Sequence, residues 1–258
     1  MSGGHGPTAS LYVAAASPLH RLAPQCKLAA ALLFVFAVVA TPREAFWAFA
    51  VYALALAALA RVGRVPLAFV ARRMVIEVPF VAFALFLPFV AQGERVEVAG
   101  LSLATEGLWA AWNIVAKATL GVATTVVLAA TTPVAAILDG FDRLRVPRLF
   151  TAVAGFMVRY LDVVVGEARR MRVARLSRGD NGRWLWQARA VATSAGTLFV
   201  RSFERGERVH LAMLSRGFDG SLPVLADQPA GGRQWGTALA LPVAAAAVAV
   251  VAWATVGT

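Results

Sequence analysis

The sequence predicts an all-α integral membrane bundle of about five spans, with long basic helices on its cytoplasmic side. Three observations predict it. Of 258 residues, 59% are hydrophobic and mean hydropathy is +0.68, above the roughly 45–50% apolar content of a soluble domain, so a second apolar solvent is required. The apolar residues gather in runs separated by short polar breaks. Finally, Lys and Arg outnumber Asp and Glu by 25 to 14, an excess that in membrane proteins collects in cytoplasmic loops facing anionic lipid or acidic protein.

Residues 1–27 read as a cytoplasmic leader ending in SPLHRLAPQCK, able to lie on the membrane surface. Its start lacks a charged stretch followed by an apolar run, so no cleavable signal peptide is expected. Leu28–Ala40 and Ala45–Ala60 are the first apolar runs, divided by Thr41-Pro42-Arg43-Glu44. Each is shorter than the roughly 20 residues of a typical span. They read either as a tight pair of short helices or as one interrupted segment. Arg61, Arg64, Arg72 and Arg73 mark a cytoplasmic turn. Met74–Ala91 is the next span, kinked by Pro79 and Pro88 and packed on protein through Glu77. Residues 92–106 read as an external turn, and Gly107–Thr131 as the longest clean span. Trp109 and Trp112 sit near its outer end, where aromatic belts form. Lys117, inside it, faces a neighbouring helix or snorkels. Trp235–Val256 is the last span, preceded by a Gly- and Pro-rich connector over 219–234.

Residues 133–218 decide the topology. Hydropathy alone proposes spans at Leu149–Val165 and Trp184–Val200, which would place Arg169, Arg170, Arg172, Arg175, Arg178 and Arg183 outside. That violates the positive-inside bias, and Arg159, Asp162, Arg189 and Arg201 are costly at bilayer depth. Both conflicts vanish if the segment forms long cytoplasmic helices. Thr132-Pro133 reads as an N-cap followed by proline at the first helical position. Val134, Ile137, Leu138, Phe141 and Leu144 follow at helical spacing, leaving Asp139, Asp142 and Arg143 off that face. These polar residues read as a solvated face or, less simply, as a contact. A helix from Arg148 to Arg178 would be about 45 Å long and carries a small-and-polar stripe of Gly155, Arg159, Asp162 and Gly166.

Two helix ends look alike. Ala174-Arg175-Leu176-Ser177-Arg178-Gly179 and Ala212-Met213-Leu214-Ser215-Arg216-Gly217 both have the form A-x-L-S-R-G. A glycine just past the last turn takes the left-handed conformation, and an arginine there meets carbonyls left unsatisfied by the helix. The result is a blunt tip with a guanidinium fork suited to a carboxylate in a partner's groove. One Arg-Gly pair is an ordinary cap. Two in one basic region point to a paired partner, and they lie too far apart for solenoid repeats. Glu204 and Arg208 are spaced i,i+4 and read as a helix-stabilising pair worth about 0.2–0.5 kcal/mol. Together with Arg205 they read equally as support for packing between the long helices.

On these motifs the sequence resembles the transmembrane coupling (T) component of energy-coupling factor transporters. The run Arg201–Arg208 leading into Ala212–Gly220, and the leader Ser17–Lys27, are similar to the CbiQ type of cobalt importers, although the family often has an acid where Ala23 stands. The resemblance covers about residues 17–222. It implies that Ala174, Arg178, Gly179, Ala212, Arg216 and Gly217 form coupling tips in grooves of two ATP-binding-cassette subunits. It also implies that the membrane helices hold a separate substrate-binding (S) subunit, with cobalt or nickel as cargo, in the inner membrane of a prokaryote with the N-terminus cytoplasmic.

No G-x-x-x-x-G-K-[ST] loop is present, so no cofactor is expected and ATP would be bound by partners. The three histidines and lone Cys26 share no ligand spacing, which argues against direct metal binding. Asp139-Gly140 superficially resembles part of a lipid phosphotransferase motif, but the spaced aspartates that should follow are missing. A membrane enzyme is therefore disfavoured. A conventional ABC permease with its own pathway is the nearer alternative, set against by the scarcity of intramembrane polar residues. No basic tail or aromatic–basic module stands apart to suggest nucleic acid.

Overall fold

The computed structural model describes residues 12–91, 95–98, 101–179, 188–218 and 230–256. These divide into two compact units, one within residues 11–144 and 228–258 and the other within 145–227. The first contains α1 (Pro18–Arg21), α2 (Pro24–Ala40), α3 (Phe46–Val62), α4 (Leu67–Arg73), α5 (Val78–Val90), α6 (Thr105–Thr131), α7 (Val134–Arg143) and α10 (Gly232–Val256). The second contains α8 (Arg148–Ser177) and α9 (Ala188–Leu214). Among the described residues, four helical stretches are long and apolar enough to cross a membrane: 67–90, α6, α8 and α10. The helices α2 and α3 are apolar but shorter. The chain is an all-α membrane helical bundle.

Helices α2, α3, α6 and α10 enclose the core of the first unit around Phe34, Phe49, Tyr52, Leu56 and Leu120. On α10 the residues that face inward are small: Ala238, Pro242, Ala245, Ala249 and Ala252, at steps of three or four. Without hydrophobic drive between helices in lipid, such small side chains allow the close approach that packing needs. The same demand appears at Gly107 of α6. A Cβ there would stand 2.6 Å from Pro88 Cα and 2.7 Å from Leu87 O, so only glycine lets α5 and α6 touch. The two short apolar runs near the N-terminus are separate helices, which resolves the alternative of one interrupted segment.

Polar groups in this unit are stitched to helix ends. The last four carbonyls of a helix lack intrahelical partners, and α2 satisfies all four. Thr41 Oγ1 donates to Ala37 O at 2.8 Å and Thr41 N–H to Val38 O at 3.3 Å. Lys117 Nζ donates to Val39 O, and Trp253 Nε1 to Ala40 O, each at 2.8 Å. Lys117, predicted to face a neighbour or snorkel, thus faces α2. Tyr52, 1% exposed, donates to Ala245 O at 3.1 Å and shares a hydrogen bond with Thr41 Oγ1, tying α3 to α10.

The leader differs from its sequence reading. Rather than lying on a surface, Ser17, Leu19, Ala23, Gln25, Cys26 and Lys27 are buried, and α2 already begins at Pro24. Lys27 Nζ donates to Thr131 O at 3.0 Å, Thr132 Oγ1 at 3.2 Å and His20 O at 3.5 Å. Three ammonium donors meet three oxygens, two of them where α6 ends and its dipole favours a cation. Thr132 therefore accepts from Lys27 instead of capping α7, whose N-cap is Pro133, without a side-chain cap. Arg43 bridges Glu44 and Glu106 at 2.8 and 3.0 Å, and it holds the Glu44 carboxyl below the usual carboxylate range.

Three further features go beyond the sequence reading. The third span starts before Met74, as α4 continues through a 3₁₀ turn (Met74–Glu77) into α5. Glu77 is 4% exposed and accepts from Thr119 Oγ1 at 2.7 Å, which explains a carboxylate in an apolar run. The segment read as an external turn contains an antiparallel hairpin of β1 (Arg95–Val98) and β2 (Leu101–Ala104), paired from Arg95↔Ala104 to Val98↔Leu101. Finally, α7 packs on α2, where a Cβ on Gly140 would meet Leu28 Cδ1 at 2.6 Å.

Candidate functional site

Both A-x-L-S-R-G motifs close long helices in the second unit. Gly179 and Gly217 have φ of +84° and +82°, the left-handed conformation that ends a helix at low cost in glycine. At the α9 end, Gly217 N–H donates to Leu214 O and Phe218 N–H to Met213 O, both at 3.0 Å. This pair of bonds is a Schellman closure. At the α8 end, Gly179 N–H donates to Leu176 O at 3.1 Å, the equivalent bond. Arg178 and Arg216 thus occupy the same capping position. Ala174, Arg178, Gly179, Ala212, Arg216 and Gly217 are all exposed. Among the described residues, neither tip arginine forms an ion pair. Each presents an uncompensated planar fork of five donors.

The helices that carry these tips pair in an unusual way: neither α8 nor α9 has a single buried residue. Between them lies a cavity of about 410 Å³, lined on α8 by residues from Phe156 to Glu167 and on α9 by residues from Ser202 onward, with Phe218 beyond its end. One end of this contact is an ion-pair cluster. Glu167 Oε1 accepts from Arg201 Nη1 at 3.0 Å, and Glu167 Oε2 accepts from Arg205 Nη2 at 3.4 Å. The Glu167 side chain is only 12% exposed, against 56% and 41% for the two arginines. From this cluster the cavity runs backward along α8 and forward along α9. The helices therefore run in opposing directions, and the Arg178 and Arg216 tips lie on opposite sides of the cluster.

The other expected support residues are placed differently. Arg205 does join the two long helices, through Glu167. Glu204 and Arg208 are exposed and, among the described residues, form no ion pair with one another; α9 uses the neighbouring Arg201–Arg205 step instead. Asp139 and Asp142 are half-buried on α7, in the first unit, and so do not form the fully solvated face expected of them. The connector over 219–229, and Arg183 and Trp184, lie outside the described residues. The role of Glu167 was missed in the sequence because its partners lie 34 and 38 residues away. Among the described residues, no three His, Cys, Asp or Glu side chains cluster as metal ligands.

Relatives set this geometry in context. Residues 15–225 match the model of the CbiQ cobalt transport protein family. The chain is 30% identical over 171 residues to a cobalt transport protein CbiQ of Rhodobacter capsulatus, covering 65% of this chain and 67% of that one. It is 29% identical over 223 residues to the energy-coupling factor transporter transmembrane protein EcfT of Bacillus selenitireducens, covering 81% and 82% respectively. It also matches a putative fused cobalt transport protein CbiMQ of Methanocorpusculum labreanum at 27% identity over 128 residues, half of this chain but only 21% of that longer protein. The match spans α1 to α9, including the paired Arg-Gly tips, and the chain belongs to the CbiQ cobalt transport protein family.

Proposed function

We propose that this chain is the coupling subunit of an energy-coupling factor importer, joining an ATPase pair to a substrate-binding membrane subunit. The observation that carries this reading is the pair of exposed, uncompensated Arg-Gly tips on opposite sides of one helix pair. A single basic surface would suit any anionic partner. Two identical tips facing apart suit two copies, or two homologues, of one protein that offers a carboxylate-lined groove. The EcfT-named relative supports an energy-coupling factor assembly, and the fused relative supports a second transport polypeptide beside this one.

In this reading α8 and α9 lie on the cytoplasmic side, although α8 is long and apolar enough to span. The positive-inside bias over residues 169–183 and the exposed Arg159 and Asp162 on α8 support that placement. The N-terminus is then cytoplasmic, and the assembly sits in a prokaryotic cell membrane. ATP binds to the partners, and the chain itself holds no cofactor. Movement of the ATPases displaces the tips and, through α8 and α9, reorients the S subunit. Cobalt, with nickel as the alternative, is chosen by that subunit.

Affinity purification of the chain from its native membrane in mild detergent tests the proposal. An ATP-binding-cassette pair should co-purify with the wild-type chain and be lost with Arg178→Glu plus Arg216→Glu. Equal recovery of the ATPases from both would count against tip docking. Labelling of Ser177→Cys by an impermeant external reagent in intact cells would overturn the topology.

A further inference from the structure

We propose that Glu167 is a positioning residue that fixes the spacing between the two tips, a role resting on the coupling reading above. The two helices coincide in register. Arg216 follows Arg178 by 38 residues, and Arg205 follows Glu167 by the same 38. The ion pair therefore joins equivalent positions of the two motif-bearing helices. Each tip arginine stands eleven residues beyond its own half of the pair, about 16 Å of helix. Because the helices run in opposing directions, the clamp sits midway between tips about 33 Å apart along the rods.

The packing leaves little else to fix that span. No residue of α8 or α9 is buried, and a cavity of about 410 Å³ separates their apolar faces beside the clamp. Loosely packed apolar surfaces can slide, whereas charged hydrogen bonds are directional. Glu167 engages two successive turns of α9, one carboxylate oxygen to each arginine. A contact with two points of attachment resists both rotation and translation of one rod over the other. Glu167 is also the most enclosed member of the cluster, so the bonds are screened less than those of an exposed pair.

The test is made on the full-length chain in lipid nanodiscs and in the reconstituted transporter. Cys26, the sole cysteine, is buried, so spin labels at Ser177→Cys and Ser215→Cys report the tips alone. Wild type should give one narrow distance peak. Glu167→Gln should broaden it and Glu167→Arg should broaden it further. Full inversion (Glu167→Arg with Arg201→Glu and Arg205→Glu) should restore the narrow peak. In the transporter, cobalt taken up per ATP hydrolysed should fall on the order of fivefold in Glu167→Arg, the low end of coupling between distant sites, and recover in the inversion. An unchanged peak in Glu167→Arg, or an inversion that stays broad, would overturn the proposal. A broadened peak with unchanged uptake per ATP would uphold the clamp and count against the coupling reading instead.

Discussion

The two units are held together by different means. In the first, polar side chains close helix ends, some buried and some exposed: Lys27 meets the end of α6 and Tyr52 joins α3 to α10 in the interior, while Lys117 and Trp253 meet the end of α2 nearer the surface. Each bond is local to one carbonyl and would be expensive to leave unmade away from water. In the second unit, α8 and α9 have no fully buried residue and are joined by one carboxylate between two arginines beside a cavity. Side-chain bonds across the ends of α2 and α6 tie the first unit's helices to one another. The two rods of the second unit are joined at one charged clamp beside a cavity.

Substitutions can break this contrast. Gly107→Val has the largest expected effect, because its side chain would collide with backbone at Pro88 and Leu87. It should lower stability by about 3 kcal/mol or more and be read as a large drop in Tm in detergent. Lys27→Met strands the Thr131 carbonyl and the Thr132 hydroxyl and should cost about 2 kcal/mol; a melting temperature equal to wild type would mean that water replaces the ammonium. Tyr52→Phe removes the hydroxyl that contacts the Ala245 carbonyl and the Thr41 hydroxyl and should cost about 1 kcal/mol. Arg43→Ala, which loses two exposed ion pairs, should leave the melt unchanged at physiological salt. Arg178→Glu with Arg216→Glu should also leave the melt unchanged, since neither side chain contributes to packing. If the tip variants melted early, the division between a stitched bundle and free tips would fail.

The legible parts of this molecule are those governed by neighbours in sequence. Arg178-Gly179 and Arg216-Gly217 could be read as helix ends because a left-handed cap needs only the local chain. The 3₁₀ break over Met74–Glu77 falls just before Pro79, one of the prolines that marked this run as irregular. The clamp was not, because an ion pair between residues 38 apart leaves no periodic trace; on hydropathy alone Glu167 is one more charge in a basic helix. The buried leader was hidden for a similar reason. Lys27 looks like a basic flank until Thr131 and Thr132, over a hundred residues away, supply its acceptors. Glu204 and Arg208 show the converse error, a pair with ideal helical spacing that does not form. The hairpin at 95–104 was obscured because its strands are only four residues each.

The most direct test of the account is ATP-driven cobalt uptake by the reconstituted transporter carrying Arg178→Glu and Arg216→Glu, with insertion and melting temperature checked in the same preparation. The account predicts a correctly inserted chain with wild-type melting and uptake reduced to background. Uptake at the wild-type rate in that double variant would contradict it.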